Sequence, residues 1–257
     1  MINDFFDGIR SYGRAFQIIR EMRLWKYVII PGLLSLIIAF AIGSAAWGLS
    51  DNAGNLLASW YPFEWGHDFV ANIAQWIGGI LIALIGLVLF KYIVMIVASP
   101  FMSPLSQKVE ERLTGRHTLN RGFNAGKAVR DILRGLRITF RNIFRELFFV
   151  GLLLLLSFIP VVGIVTTVAI FLVQAFYAGF GNMDYTLERH YLVSGSVRFV
   201  RRNKALAAGN GTIFLLLLMT GIGFLIAPPL ATVAATIETV ERLDTAVGVS
   251  EVENDLV

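Results

Sequence analysis

The feature that most constrains this chain is a set of four long apolar stretches, at about 27–49, 69–101, 147–180 and 206–240, with proline near the middle of the last two. The first, Tyr27 to Leu49, contains no charge, and roughly 23 residues suffice to cross a hydrocarbon core of about 30 Å. The second, Phe69 to Phe101, would be roughly 50 Å long as a helix, so it must tilt or project into water. The 257 residues are 56% hydrophobic and only 16% charged, against roughly 45–50% and 25% in soluble domains. A soluble core of this size has too little interior to hide so much apolar surface. Lipid must cover the rest, and 1–257 is read as a single membrane-embedded domain.

Charge is distributed unevenly between the stretches. Residues 102–146 carry ten Lys/Arg against four acids, and 182–204 carry five basic residues. The loop 50–68 instead holds Asp51, Glu64 and Asp68 among Trp60, Tyr61, Phe63 and Trp65, which suits an interfacial aromatic belt on the outer face. The positive-inside rule then places the N-terminus and both basic segments in the cytoplasm. Residues 1–26 lack the apolar core of a cleaved signal peptide. They predict an amphipathic helix, because Phe5, Ile9, Tyr12, Phe16, Ile19 and Met22 recur at spacings of four and three. Such a helix can pack on a partner helix or, the reading preferred here, lie in the membrane interface.

The last two stretches are each about 34 residues, too long for one straight span. Phe158-Ile159-Pro160-Val161-Val162-Gly163 interrupts one; Gly221-Ile222-Gly223 and Pro228-Pro229 interrupt the other. Folded at these breaks, each gives two arms of about 12–18 residues, most of them too short to span alone. If 147–180 crossed once, the five basic residues of 182–204 would lie outside, so charge parity favours re-entrant hairpins over kinked spans. The expected fold is an all-α integral membrane protein with two long transmembrane helices, two proline-broken, half-penetrating hairpins and an N-terminal amphipathic helix. Its segments are 1–26, the amphipathic helix; 27–101, the two spans; 102–146, basic cytoplasmic helices; 147–180, a hairpin; 181–205, a basic segment; 206–240, a hairpin; and 241–257, an acidic, frayed tail.

Enzyme chemistry finds no foothold. There is no cysteine, and His67, His117 and His190 lie in separate segments without metal-ligand spacing. No P-loop or G-x-S-x-G occurs, so no catalytic residue, metal or cofactor is expected. The basic patches adjoin membrane segments, which argues against nucleic acid as a partner. Lys127, Arg130, Arg134, Arg137, Arg141 and Arg145 share one helical face. That stripe can concentrate an anion at a pathway mouth or hold anionic lipid headgroups. Arg23 and Lys26 precede the first span, where a helix N-terminus favours an anion; on spacing alone, ordinary positive-inside flanking charge is the favoured reading. Lys91 lies inside an apolar span, either as a pathway residue or snorkelling to the interface.

In order along the chain, Tyr27-Val28-Ile29-Ile30-Pro31, Ala98-Ser99-Pro100-Phe101, Glu111-Arg112-Leu113-Thr114-Gly115, Phe158-Ile159-Pro160 with Gly163, and Met183-Asp184-Tyr185 resemble the CysZ sulfate transporters over about residues 10–240. That resemblance implies a bacterial inner-membrane sulfate permease serving sulfur assimilation and cysteine biosynthesis, all-helical and oligomeric, with sulfate and membrane lipids as partners. One departure stands out: Arg23-Leu24-Trp25-Lys26 replaces a Gly-Leu-Arg-Arg-like run. The expected sulfate ligands are Arg23, Lys26, Arg134, Arg137 and Arg141, with Pro31, Pro160 and Pro228 shaping the backbone. The rival expectation is a non-transporting scaffold or accessory subunit that binds anionic lipid or a partner protein.

Overall fold

A computed structural model of the chain describes residues 2–58, 93, 98, 100–115, 125–157, 162–220 and 223–254. Among them all regular structure is helical. They divide into two compact units, one of residues 1–29 and 99–257, the other of residues 30–98. Most of the second apolar stretch, Lys91, the aromatic run 60–65 and Pro160 lie outside the described residues.

The smaller unit is represented by α2 (Lys26–Ala58), most of whose length belongs to it. Its first part, Lys26–Ser44, is long and apolar enough to cross a membrane. Pro31 sits inside the helix without ending it, and the Ser35 hydroxyl donates to the Pro31 carbonyl at 2.8 Å. The helix continues through 51–58, where a loop was expected. Leu56, Leu57 and Ala58 are good helix formers, and no proline intervenes before Pro62.

The larger unit contains α1 (Ile2–Glu21), a helical segment at 100–114, α3 (Ala125–Ser157), α4 (Val162–Leu187), α5 (Val193–Arg202), α6 (Lys204–Met219), a short 3-10 turn (Gly223–Leu225) and α7 (Ala227–Asn254). The chain turns back between α3 and α4: Arg134 meets Asp184, and Arg141 lies over the Phe180 ring. These helices are therefore antiparallel. The arms are longer than expected, because α4 runs 26 residues and is by itself apolar and long enough to span. It continues through Asn182 and Asp184 because both polar side chains find buried partners.

Helix α6 is the centre of the unit. Against α4, a Cβ at Gly179 would lie 1.8 Å from the Ala207 carbonyl oxygen, and one at Gly211 would lie 1.7 Å from that of Ala175. The two backbones touch through missing side chains, the small-residue packing typical of membrane helices. On its other side, Gly209 faces Phe5 and Gly8 faces Leu206 of the α1–α6 contact. Asn210 joins four helices: it accepts from the Asn182 amide at 2.9 Å, donates to the Ala231 carbonyl at 3.1 Å, and its own carbonyl accepts from Tyr12 Oη at 2.7 Å.

Helix α1 packs on α6 and α7, the contact that the partner-helix alternative describes. Its buried face is Gly8, Ser11, Tyr12, Ala15 and Ile19, while Phe6 and Phe16 are exposed, because the close approach at Gly8 to the backbone of Leu206 and Asn210 turns that side of α1 toward α6. The tail after Glu241 is not frayed but helical to Asn254, and Arg242 pairs with Asp4 at 2.7 Å. Pro228 and Pro229 fall in the first turn of α7, where the missing N–H is one the helix would not have used. The break in stretch four therefore lies at 220–226, just before them.

Candidate functional site

Where the basic half of α3 runs beside α5, the two helices enclose an open cleft of about 760 Å³. Arg137, Arg141 and Arg145 line one wall, and Arg198, Arg201 and Arg202 the other, over a floor that includes Leu192, Val193 and Val197. Arg137, Arg141 and Arg145 recur every four residues, and Arg201 and Arg202 lie three and four residues after Arg198, so each trio shares one helical face. The lining contains no acidic residue. Burial, then the neighbouring charges of Arg145 and Arg201, push the Arg141 pKa downward. Arg141 is steadied by the Phe180 ring 5.8 Å below its guanidinium and by a 3.0 Å bond to Asn142 Oδ1. A cavity with this much unneutralised charge attracts anions, and guanidinium forks suit oxyanions in particular.

The neighbouring Arg134 has a different task. Its Nη1 and Nη2 donate to Asp184 Oδ2 and Oδ1 at 3.0 and 3.1 Å, and Nη2 also reaches Ser196 Oγ at 2.7 Å and the Tyr191 carbonyl at 3.3 Å. Arg134 thus ties α3 to α4 and α5 and is absent from the cleft lining. One turn further along, Arg137 is exposed and open to the cleft.

A second polar cluster braces the helical segment 100–114 against α4. Arg189 donates from Nε to Glu110 Oε2 at 2.7 Å and from Nη2 to Ser106 Oγ at 2.8 Å, and His190 Nε2 lies 2.6 Å from Glu110 Oε1. Burial raises the Glu110 pKa, but the His190 hydrogen bond and the Arg189 charge outweigh it and leave the carboxyl below its usual range. Beside it Glu188 accepts from Ser103, and burial pushes its pKa to about 6. The hydroxyls of Ser106, Thr186 and Thr236 close a ring with separations of 2.8, 3.0 and 3.0 Å. Glu110, Arg189 and His190 are paired with one another, so this is a brace.

Arg23 and Lys26 stand apart from the cleft lining. Arg23 has φ of 52°, and the Leu24 N–H reaches back to the Ile19 carbonyl at 3.0 Å. That is the left-handed residue of a Schellman cap closing α1. The Arg23 side chain is exposed, as is Lys26, whose Nζ lies 5.3 Å from the Tyr27 ring centre. Of the five expected ligands, the structure therefore brings only Arg137 and Arg141 together in one cavity. Arg145, Arg198, Arg201 and Arg202 were not among them, although the spacing of Arg198, Arg201 and Arg202 on one face of α5 was visible. What was not visible is that the α3–α4 hairpin returns α5 to α3. No cluster of potential metal ligands occurs among the described residues.

The sequence matches known proteins over most of its length. The family profile described as "Sulfate transporter CysZ/Etoposide-induced protein 2.4" matches residues 11–229. A protein named sulfate transporter CysZ from Pectobacterium atrosepticum is 25% identical over 244 residues, covering 91% of this chain and 85% of that protein. One of the same name from Vibrio parahaemolyticus is 27% identical over 239 residues, covering 89% and 91%. Another, from Salmonella typhimurium, is 25% identical over 238 residues, covering 89% and 90%.

Proposed function

The chain belongs to the sulfate transporter CysZ/etoposide-induced protein 2.4 family, and from that premise we propose that it admits sulfate across the bacterial inner membrane to supply sulfur assimilation and cysteine biosynthesis. The observation that carries the reading is the cleft between α3 and α5, with its six arginines and no lining acid. Sulfate is a tetrahedral dianion, and two guanidinium forks can take its oxygens in pairs. Arg137 and Arg141 are its principal ligands on this reading. Arg134 acts through position, by holding α3 on α4, and Arg23 and Lys26 add positive charge at the start of α2. Lys91 is the pathway residue of the second span.

On the same reading the N-terminus and both basic segments face the cytoplasm, and the α3–α4 and α6–α7 pairs dip into the bilayer and return. The antiparallel course of α3 and α4, which brings Arg134 beside Asp184, supports that parity. The protein works as a homo-oligomer, in which neighbouring copies cover the sides of the broken stretches and line the anion's route.

Uptake of labelled sulfate into proteoliposomes tests the proposal. Each guanidinium removed takes away charge-assisted hydrogen bonds of about 1.5–3 kcal/mol. Arg137→Gln with Arg141→Gln should therefore lower uptake at subsaturating sulfate by about tenfold or more. Unchanged uptake by the double variant would overturn the ligand assignment, and wild-type vesicles that neither bind nor pass sulfate would overturn the function.

A further inference from the structure

The cleft is larger and more highly charged than one sulfate requires. Six guanidiniums face a volume of about 760 Å³, and a single dianion would leave most of that charge unmatched. The matching ligand carries several negative charges spaced across the gap between two helices. A second feature indicates what else it carries. Leu133, Phe140, Phe144 and Phe148 are exposed by 60, 55, 70 and 67%, and they follow one line along α3 immediately beside Arg137, Arg141 and Arg145. Just past Arg145 the helix becomes wholly apolar, from Leu147 to Leu156. The cleft therefore lies at the level where α3 passes from a charged to a hydrocarbon-like surface, and one edge of its charged wall is apolar. A soluble anion has no use for that edge. An acyl chain does.

We propose that the α3–α5 cleft is a binding site for an anionic phospholipid whose headgroup bears two phosphates. One phosphate sits against Arg137, Arg141 and Arg145, the other against Arg198, Arg201 and Arg202, and the acyl chains run along the Phe140–Phe144–Phe148 edge. Two phosphodiesters bridging the trios explain why the arginines come from both helices, and the lipid then clamps α5 to α3. The inference does not require that sulfate crosses the membrane. Because Arg137 and Arg141 are shared with the sulfate reading, lipid and sulfate contend for them, and lipid occupancy sets how open the cleft is to the free anion.

The test is binding of fluorescent tetraoleoyl cardiolipin to the full-length protein in neutral detergent without sulfate, with dioleoylphosphatidylglycerol, dioleoylphosphatidylcholine and inorganic pyrophosphate as competitors. Cardiolipin should bind at least about tenfold more tightly than phosphatidylglycerol at equal phosphate, and phosphatidylcholine should not compete. Arg198→Gln/Arg201→Gln/Arg202→Gln should weaken cardiolipin about tenfold or more, while the triple Arg→Lys variant, with the charge kept, retains most of the affinity. These three side chains are exposed, and the single Arg201→Gln variant serves if the triple change lowers the folded yield. Wild-type affinity in the glutamine variants would overturn the proposal. So would phosphatidylglycerol competing equally per phosphate. Pyrophosphate displacing cardiolipin at equal concentration would make the cleft a site for a soluble polyanion and overturn it equally. Transport is read separately, through Arg137 and Arg141, so either idea can fail alone.

Discussion

Asp184 near the C-terminal end of α4 holds both ends of the Arg134 guanidinium, at 3.0 and 3.1 Å, in a fork-to-fork pair with both side chains at most 12% exposed. The pair sets the register of α3 on α4, and so determines that Arg137 and Arg141, one and two turns further along, open into the cleft. Removing either partner strands a buried charge. Arg134→Ala or Asp184→Ala should each cost about 3–5 kcal/mol, read as thermal unfolding in detergent. Arg134→Met with Asp184→Leu should recover much of that loss, and strictly additive losses would contradict the coupling.

The contact between α4 and α6 has no room for a methyl group. Gly179→Ala and Gly211→Ala each place a Cβ within 2 Å of a backbone oxygen of the facing helix, and overpacking of this kind costs about 1–3 kcal/mol or more. Gly151→Ala in α3 meets nothing within 4 Å, and should be neutral or stabilising by up to about 1 kcal/mol. Melting temperatures of the three variants check the contrast.

Glu188 gives stability a pH dependence of unusual sign. Its pKa rises from 4.5 unfolded to about 6 folded, chiefly through burial, so the folded state binds the extra proton. The Glu188 contribution to stability therefore falls as pH rises from about 4.5 to 6, by about 2 kcal/mol, and levels off above. Glu188→Gln should remove that part of the pH dependence. Glu110 contributes oppositely: its carboxyl is held below 4.5, so its stabilisation is present at neutral pH and lost only as pH falls through that lower value. Unfolding of wild type and Glu188→Gln between pH 4 and 8 separates the two.

Arg23 serves α1 through its backbone. At φ of 52°, a left-handed residue with a Cβ is strained by about 1 kcal/mol relative to glycine. Arg23→Gly should therefore raise stability by roughly that amount, while Arg23→Val should lower it. Sulfate binding to Arg23→Gly then reports on the charge alone.

Much of this protein was legible in order along its chain. The composition requires lipid, Lys26–Ser44 reads directly as a helix able to span, and the arginine stripe of α3 follows from its spacing. Some boundaries were not legible. The α4 arm was expected to end near Phe180, because Asn182 and Asp184 look like an exit from apolar surroundings. It continues to Leu187 because Asn210 and Arg134, distant in sequence, satisfy them. The exposed Phe16 and the buried Gly8 of α1 likewise reverse what hydrophobicity alone suggests, since close backbone approach rewards the absence of a side chain more than its apolarity.

The sequence by itself determined that this is a helical membrane chain with basic surfaces beside broken apolar stretches, because hydropathy and charge are summed residue by residue and need no neighbours. Only the tertiary structure decided which arginines are engaged and which are free. Arg134 and Arg137 carry the same charge on the same face of one helix, and no local property distinguishes them. The difference comes from what the returning chain sets opposite each: Asp184 and Ser196 before Arg134, and the arginines of α5 across the cleft from Arg137.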